Sequence, residues 1–145
     1  MNESDLKGEI TLHVMRGLPR SGKSTQAKWI QQETGAPVVS KDAIRLALHG
    51  QRYLAEREGQ VKEAYYLLLK ALAFGGNKVI IIDECNVNQP STIKILKEVL
   101  EGFEIDFIFH VCSTSPEVCK QRAIECNQRD LIPVIDSMSR DWISV

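Results

Sequence analysis

The stretch that decides the fold is Gly17-Leu18-Pro19-Arg20-Ser21-Gly22-Lys23-Ser24, with Thr25 directly after it. It matches the pattern G-x-x-x-x-G-K-[ST] at every fixed position. Average residue frequencies give this pattern by chance roughly once in 200 chains of this length. An apolar strand is predicted directly before it, over Glu9 to Met15, and a helix directly after it, from Lys23 to Glu33. The motif therefore lies between a strand and a helix, as its mechanism requires.

The chemistry of this stretch is that of a loop that binds phosphate. Its glycines allow backbone N–H groups to point into one concavity, and the following helix adds its N-terminal partial positive charge. Lys23 can reach the outer phosphates as a point charge, and the Ser24 hydroxyl can bind Mg²⁺. We therefore predict that residues 17–25 bind ATP, with Lys23 catalytic and Ser24 as the metal ligand.

Composition and charge limit the function classes. The 145 residues include 18 Lys and Arg and 19 Asp and Glu, which gives a formal net charge of −1. A protein that binds nucleic acid through its overall positive charge is therefore not indicated. The length predicts one domain, over residues 1–145. No apolar run approaches the ~20 residues of a membrane helix, and the first residues do not resemble an export signal, so a cytoplasmic protein is expected. The four scattered cysteines are expected to be buried, reduced thiols.

Strand and helix patterns alternate along the rest of the chain, which predicts an α/β fold. Further strands are predicted over Pro37 to Ser40, Lys78 to Asp83 and Ile105 to Val111. Further helices are predicted near Asp42 to Leu48, from Val61 to Ala73, from Pro90 toward Gly102, from Pro116, and from Pro133 to Trp142. The fold expected is that of a P-loop NTPase, with a central parallel sheet of about four to five strands and helices on both faces.

Three polar clusters follow the predicted strands or lie near the chain's end. The first is Lys41, Asp42 and Arg45, after the second strand. Ligands of open parallel sheets bind beyond the carboxyl ends of the strands, so Asp42 could accept a proton from an attacking hydroxyl. Arg45 lies on the same helix face and, with Lys41, could bind an anionic acceptor. The alternative for Asp42 is a helix N-cap.

The second cluster is Asp83-Glu84, with Asn86 nearby, at the end of the most apolar strand. Carboxylates in this position commonly lie near Mg²⁺ or its water shell, and all three residues are candidate substrate-binding residues. Adjacent strand residues point to opposite faces, so only one of the two acids is expected to face the phosphates.

The third cluster is the pair Arg122 and Arg129, in and just after the penultimate helix. Arginines that close over the phosphates stabilise the charge that develops in phosphoryl transfer, so Arg122 is a candidate catalytic residue and Arg129 a candidate nucleotide-binding residue. The alternative for each is an ordinary solvated charge on a helix.

These motifs together resemble the kinase domain of bacteriophage polynucleotide 5′-hydroxyl kinase and related small P-loop kinases. The resemblance covers about Ile10 to Trp142, and its matching pieces follow in the same order. They are Gly-x-x-x-Ser-Gly-Lys-Ser-Thr (17–25), Ser-Lys-Asp-x-x-Arg (40–45), Glu-Gly-x-Val (58–61), Asp-Glu-Cys-Asn-Val-Asn (83–88), Ser-Pro-Glu (115–117), the two arginines and Ile-Pro-Val-Ile (132–135).

The resemblance implies that Asp42 is the general base, that Arg45 lies near the acceptor phosphate, and that Arg122 and Arg129 are lid arginines. The sequence departs from the phage enzyme at Lys41, Glu84 and Cys85, where that enzyme or its relatives have arginine, aspartate and threonine. The arginine spacing is also longer than in the family. These departures lie on the acceptor and lid side, so they bear on the substrate more than on the chemistry.

The leading hypothesis is transfer of the γ-phosphoryl group of ATP to the 5′-OH of DNA or RNA. One alternative keeps the kinase chemistry and takes a nucleoside, nucleotide, small metabolite or hydroxylated base as acceptor, which suits the near-neutral charge. A further alternative is a nucleotide-binding switch without catalysis. The guanine-reading pattern Asn-Lys-x-Asp of many such switches is absent, because Asn77-Lys78 is followed by Val79-Ile80.

Overall fold

The fold is given by a computed structural model that describes residues 7–50, 54–83 and 89–141. The four strands are β1 (Gly8–Gly17), β2 (Val38–Ser40), β3 (Val79–Asp83) and β4 (Phe103–Cys112). The six α-helices are α1 (Lys23–Thr34), α2 (Lys41–His49), α3 (Glu58–Phe74), α4 (Gln89–Val99), α5 (Pro116–Glu125) and α6 (Ile132–Arg140). Short 3₁₀ helices cover Ala55–Arg57 and Arg129–Leu131.

All four strands are parallel, in the order β2-β3-β1-β4. The register pairs Met15 of β1 with Asp83 of β3 and with His110 of β4. The phosphate-loop motif, Asp42 after β2 and Asp83 at the end of β3 therefore meet at one edge of the sheet, the carboxyl edge. The predicted α/β fold with a parallel sheet and helices on both faces is confirmed.

The sheet is covered by a different set of helices on each face. One face packs on α3 and α4 through a large apolar cluster that includes Leu12, Tyr65, Leu69 and Ile80. The opposite face packs on α1 through a smaller cluster around Met15 and Ile81. The run of isoleucines in β3 is buried because it is covered on both sides, as a central parallel strand requires.

Two helix starts are fixed by serine caps. The Ser40 hydroxyl accepts from the backbone N–H of Ala43 at 3.3 Å, and the Ser115 hydroxyl accepts from that of Val118. The Ser40 cap bears on Asp42, because Ser40 fills the N-cap position of α2 that the alternative reading gave to Asp42.

The prediction that the four cysteines are buried thiols needs correction, and one of them, Cys85, lies outside the described residues. Cys119 is buried, but Cys112 is half-buried and Cys126 is exposed, so the prediction of buried thiols fails for Cys126. It caps the end of α5, whereas the buried Cys119 and Ala123 of that helix pack against Leu18 and Ile135. Within the part of the chain that the structure describes, no helix has both the length and the apolar character needed to span a membrane.

Candidate active site

The phosphate-binding loop, residues 17–24, joins β1 to α1. Gly17 has to be a glycine because an added Cβ would lie 3.1 Å from the Cβ of Cys112 and 3.2 Å from its carbonyl oxygen. Gly22 has a φ of 105°, a conformation that favours glycine, and it caps α1. No side chain caps α1 and no acid lies in its first turn. The N–H groups of α1 are therefore left to bind an anion.

Lys23 and Asp83 form the charged centre of the site. Lys23 is the first residue of α1, Asp83 is the last residue of β3, and the Lys23 Nζ lies 3.7 Å from the Asp83 Oδ1. Their side chains are only 8% and 12% exposed. Of the two acids at the end of β3, Asp83 is thus shown on the phosphate-loop side. Glu84 and Asn86, also predicted for the substrate side, lie outside the described residues.

The donors next to Lys23 fit a magnesium ion. Ser24 carries an exposed hydroxyl at the start of α1, and Asp83 carries a carboxylate at the same edge of the sheet. Mg²⁺ prefers such oxygen donors and is commonly held by one or two carboxylates together with substrate phosphates. Across residues 7–50, 54–83 and 89–141, no group of three or more His, Cys, Asp or Glu forms a metal site of its own.

Helix α5 rests directly on the phosphate-binding loop. The Arg122 Nη1 donates to the carbonyl of Arg20 at 3.1 Å, and the hydroxyl of Thr114, just before α5, donates to the carbonyl of Ser21 at 2.9 Å. Leu18 of the loop packs into an apolar cluster with α5 and α6. Arg122 therefore contacts the phosphate-binding loop. Arg129 lies at the start of the second 3₁₀ helix, and both arginines are exposed.

The acceptor side is organised by a three-membered ion cluster on α2 and α3. The Arg45 Nη1 donates to the Asp42 Oδ1 at 2.6 Å, as their spacing on one helix face predicts. Its Nε and Nη2 donate to the two carboxylate oxygens of Glu58, at 2.7 and 3.2 Å. Burial alone would lower the pKa of Arg45, but the hydrogen bonds to Glu58 and Asp42 raise it above its ordinary value. The guanidinium is thus fixed as a permanent cation beside Asp42.

Asp42 keeps an open side within this cluster. Its side chain is 57% exposed, compared with 17% for Arg45 and 25% for Glu58. Lys41, next to it, places its Nζ 5.0 Å from the ring centroid of buried Tyr65. The structure therefore gives Asp42 a fixed orientation and access to a ligand, while it commits much of Arg45 to protein partners.

Two residues of this edge were missed as site residues by the sequence analysis. Glu58 stood within the motif 58–61 of the resemblance, but its pairing with Arg45 depends on how α3 packs against α2. Arg16, the residue before the phosphate loop, is completely buried, and its Nη1 donates to the Gln89 Oε1 at 2.7 Å. Burial lowers the pKa of Arg16. The sequence signal that could have identified Arg16 is a cationic residue near the end of an apolar strand.

Comparison with known protein families assigns the chain to a family. A sequence profile described as AAA domain, of the family AAA_33, matches residues 12–131, which is most of the chain. The chain belongs to the AAA_33 family. No curated protein matches it significantly. The matched range of this AAA_33 protein runs from β1 to the second 3₁₀ helix and includes the phosphate loop, Asp42, Arg122 and Arg129.

Solved kinases have the same fold as this AAA_33 protein. It matches a chain of the Pnkp1/Rnl/Hen1 RNA repair complex at 18% identity and a TM-score of 0.65, covering 94% of its own length and 48% of that chain. A gluconokinase from Sinorhizobium meliloti 1021 matches at 20% identity and a TM-score of 0.56, over 93% and 75% of the two chains. The Mycobacterium tuberculosis APS kinase CysC, solved with AMPPNP and APS, matches at 18% identity and a TM-score of 0.59, over 85% and 75%. The chain thus spans less than half of the repair-complex chain that it resembles.

Proposed function

We propose that this protein is a kinase that transfers the γ-phosphoryl group of ATP to a hydroxyl, and that the acceptor is the 5′-OH of DNA or RNA. The observation that carries the proposal is the Asp42 carboxylate. It is oriented by Arg45, half-exposed, and located beyond the carboxyl end of β2, at the sheet edge that also carries the phosphate loop. Ser40 already caps α2, so capping does not explain an acid at this position.

The chemistry follows from the roles of the side chains. The acceptor oxygen attacks the γ-phosphorus while its proton passes to the Asp42 carboxylate, and the bond between the γ-phosphorus and the β–γ bridging oxygen breaks to release ADP. Lys23 and Arg122 stabilise the negative charge that develops on the transferring group. The remaining N–H donors of Arg45 orient an acceptor phosphate, since only three of the five donors of a guanidinium are used by Asp42 and Glu58.

A bound Mg²⁺ would neutralise phosphate charge at this site, with the Ser24 hydroxyl and the Asp83 carboxylate as its protein-side oxygen donors. Groups of the protein make the other interactions with the nucleotide. The loop backbone and the start of α1 bind the phosphates, and α5 covers them from one side. The coverage keeps water away from the γ-phosphate, which favours transfer to the bound acceptor over hydrolysis.

A polynucleotide acceptor is favoured by the resemblance of motifs 40–45 and 83–88 to the phage enzyme and by the structural match to the RNA repair complex. One observation favours a small acceptor instead. Arg45 is bound by two carboxylates, so the cluster of Asp42, Arg45 and Glu58 has a net negative charge, which suits a neutral polyol better than an anion. The gluconokinase match is consistent with that second candidate.

An acceptor panel separates the two candidates. The protein is incubated with Mg²⁺ and γ-labelled ATP in the presence of DNA and RNA oligomers with a free 5′-OH, nucleosides, nucleotides and sugars. Label on the oligomers, with an affinity that falls as salt is raised, supports the polynucleotide proposal, because phosphate contacts release counterions. Label that is confined to small neutral acceptors, with little salt dependence, supports the second candidate.

Glu58→Ala is expected to weaken use of the acceptor without weakening use of ATP. The change removes both hydrogen bonds that hold the Nε and Nη2 of Arg45, so the guanidinium loses its fixed orientation beside Asp42. Bonds between charged groups are worth about 1.5–3 kcal/mol, so kcat/KM for the acceptor should fall about 10- to 100-fold. Steady-state kinetics with each substrate varied in turn provide the measurement.

The matched control for Glu58→Ala is Glu63→Ala, which removes an exposed glutamate from the same helix. It should leave both kinetic constants within about twofold. A Glu58→Ala enzyme with unchanged kcat/KM for the acceptor, or with an equal loss for ATP, would contradict the assigned role of Glu58.

A further inference from the structure

Arg20 is an unusual residue for its position, because it places a long cationic side chain inside the phosphate-binding loop. Its φ is 65°, in the left-handed region that residues with a side chain rarely adopt. Among the described residues other than glycine, only Arg20 and Asn127 have a positive φ. Asn127 directly follows Cys126, which is the residue that the Arg20 side chain contacts. The contact of the Arg20 side chain therefore joins the phosphate-binding loop to the end of α5.

The contact itself is a weak one for a guanidinium. The Arg20 Nη2 donates to the Cys126 Sγ at 2.8 Å, and both residues are exposed. A thiol sulfur is a poor hydrogen-bond acceptor, whereas phosphate oxygens form short, charge-assisted bonds with guanidinium groups. No apolar packing has to break for Arg20 to leave Cys126. A phosphate oxygen would therefore be a stronger acceptor for this guanidinium than the Cys126 sulfur is.

Two guanidinium groups converge where α5 covers the loop. Arg122 donates to the carbonyl of Arg20, so its guanidinium lies beside the backbone from which the Arg20 side chain projects. Among the residues that the structure describes, neither arginine has a carboxylate within ion-pair distance. The Lys23 Nζ, in contrast, points to Asp83. Among the described residues, the α5 side of the loop therefore carries two arginines without a carboxylate partner, apart from the Lys23–Asp83 centre.

We propose that the Arg20 side chain binds the outermost phosphate of the nucleotide and selects ATP over ADP, and that Cys126 holds this side chain when the loop is empty. The inference rests on the proposed function, because it takes ATP as the ligand. The loop backbone binds any phosphate chain that enters it. Arg20 adds an interaction on the side covered by α5, with a group that only the triphosphate carries. Arg20 is thus a specificity-determining residue.

The test measures dissociation constants for ATP and ADP by calorimetry, with Arg20→Gly, Arg20→Lys and the wild-type protein. Glycine accepts a φ of 65° without strain, so Arg20→Gly removes the guanidinium and leaves the loop conformation available. ATP binding should weaken about tenfold or more, the size of a lost charge-assisted bond, while ADP binding changes by no more than about twofold. Arg20→Lys should recover part of the ATP affinity, since it restores the charge without the bidentate geometry.

Two controls keep the result interpretable. Arg140→Ala removes an exposed arginine from the end of α6 and should leave both affinities unchanged. Cys126→Ala removes the resting contact of Arg20, so its ATP affinity should equal or exceed that of the wild type. Arg20→Gly binding ATP as tightly as the wild type, or losing ATP and ADP affinity equally, would overturn the inference. A wild-type protein that does not bind ATP would overturn the proposed function itself, and with it this inference.

Discussion

Lys23→Ala is expected to reduce phosphoryl transfer by about 10²–10³-fold or more, with weaker ATP binding. The substitution removes the cation that the structure places at the start of α1, 3.7 Å from Asp83, where the outer phosphates are expected. Loss of a single group that stabilises transition-state charge typically costs this much in rate. The measurement is the initial rate of label transfer from γ-labelled ATP, together with the dissociation constant for ATP.

Because Lys23 is buried, its substitution requires a check on folding. Lys23→Met keeps an unbranched side chain of similar length, so it should preserve packing better than alanine while it also lacks the charge. Lys28→Ala changes an exposed lysine of the same helix and should retain wild-type rates. A Lys23→Met protein that unfolds cooperatively near the wild-type temperature and still transfers phosphate at the wild-type rate would contradict the role of Lys23.

Asp42→Asn is expected to lower kcat by about 10²–10⁴-fold while the affinity for ATP stays within about twofold. The amide oxygen can still accept from the Arg45 Nη1, so the local structure is kept, but the amide cannot take a proton from the acceptor hydroxyl. This pattern differs from that of Lys23→Ala, which should affect ATP binding as well as turnover. Steady-state kinetics and calorimetry on the same preparation provide the two readouts.

The comparison for Asp42→Asn is Asp106→Asn, an exposed acid on β4. That change should leave kcat unaltered. Near wild-type turnover in Asp42→Asn, with the true acceptor, would show that another group accepts the proton, and the assignment of the general base would be wrong.

Most of the fold could be predicted because its signals are local. The apolar run from Val79 to Ile82 indicated a central parallel strand, and β3 is buried as expected. The motif 17–24 gave the order of strand, loop and helix. The buried face of α3 was harder to predict from the spacing of its apolar residues. Val61, Tyr65 and Leu69 are buried, but Leu68 is 39% exposed. A helical pattern identifies the buried stripe without fixing its edges, which depend on the neighbouring helix.

The candidate site could be predicted where a motif fixes it and not where packing fixes it. Lys23 and Asp42 follow from spacing and from the carboxyl-edge rule for parallel sheets. The pairing of Arg45 with Glu58 could not be predicted, because the two residues are 13 apart in sequence and lie on different helices. The contact between Arg20 and Cys126 spans 106 residues and depends on how α5 docks on the loop. No local pattern in the sequence encodes such a contact.

The decisive measurement for the proposed activity is label transfer from γ-labelled ATP to a DNA or RNA oligomer with a free 5′-OH. The same oligomer carrying a 5′-phosphate is the matched acceptor, and Lys23→Ala is the matched enzyme. We expect label on the free 5′ end, none on the oligomer with a 5′-phosphate, and a rate at least about 10²-fold lower with Lys23→Ala. Tight ATP binding without transfer to this oligomer or to any hydroxyl in the acceptor panel would contradict the claim that the protein is a kinase.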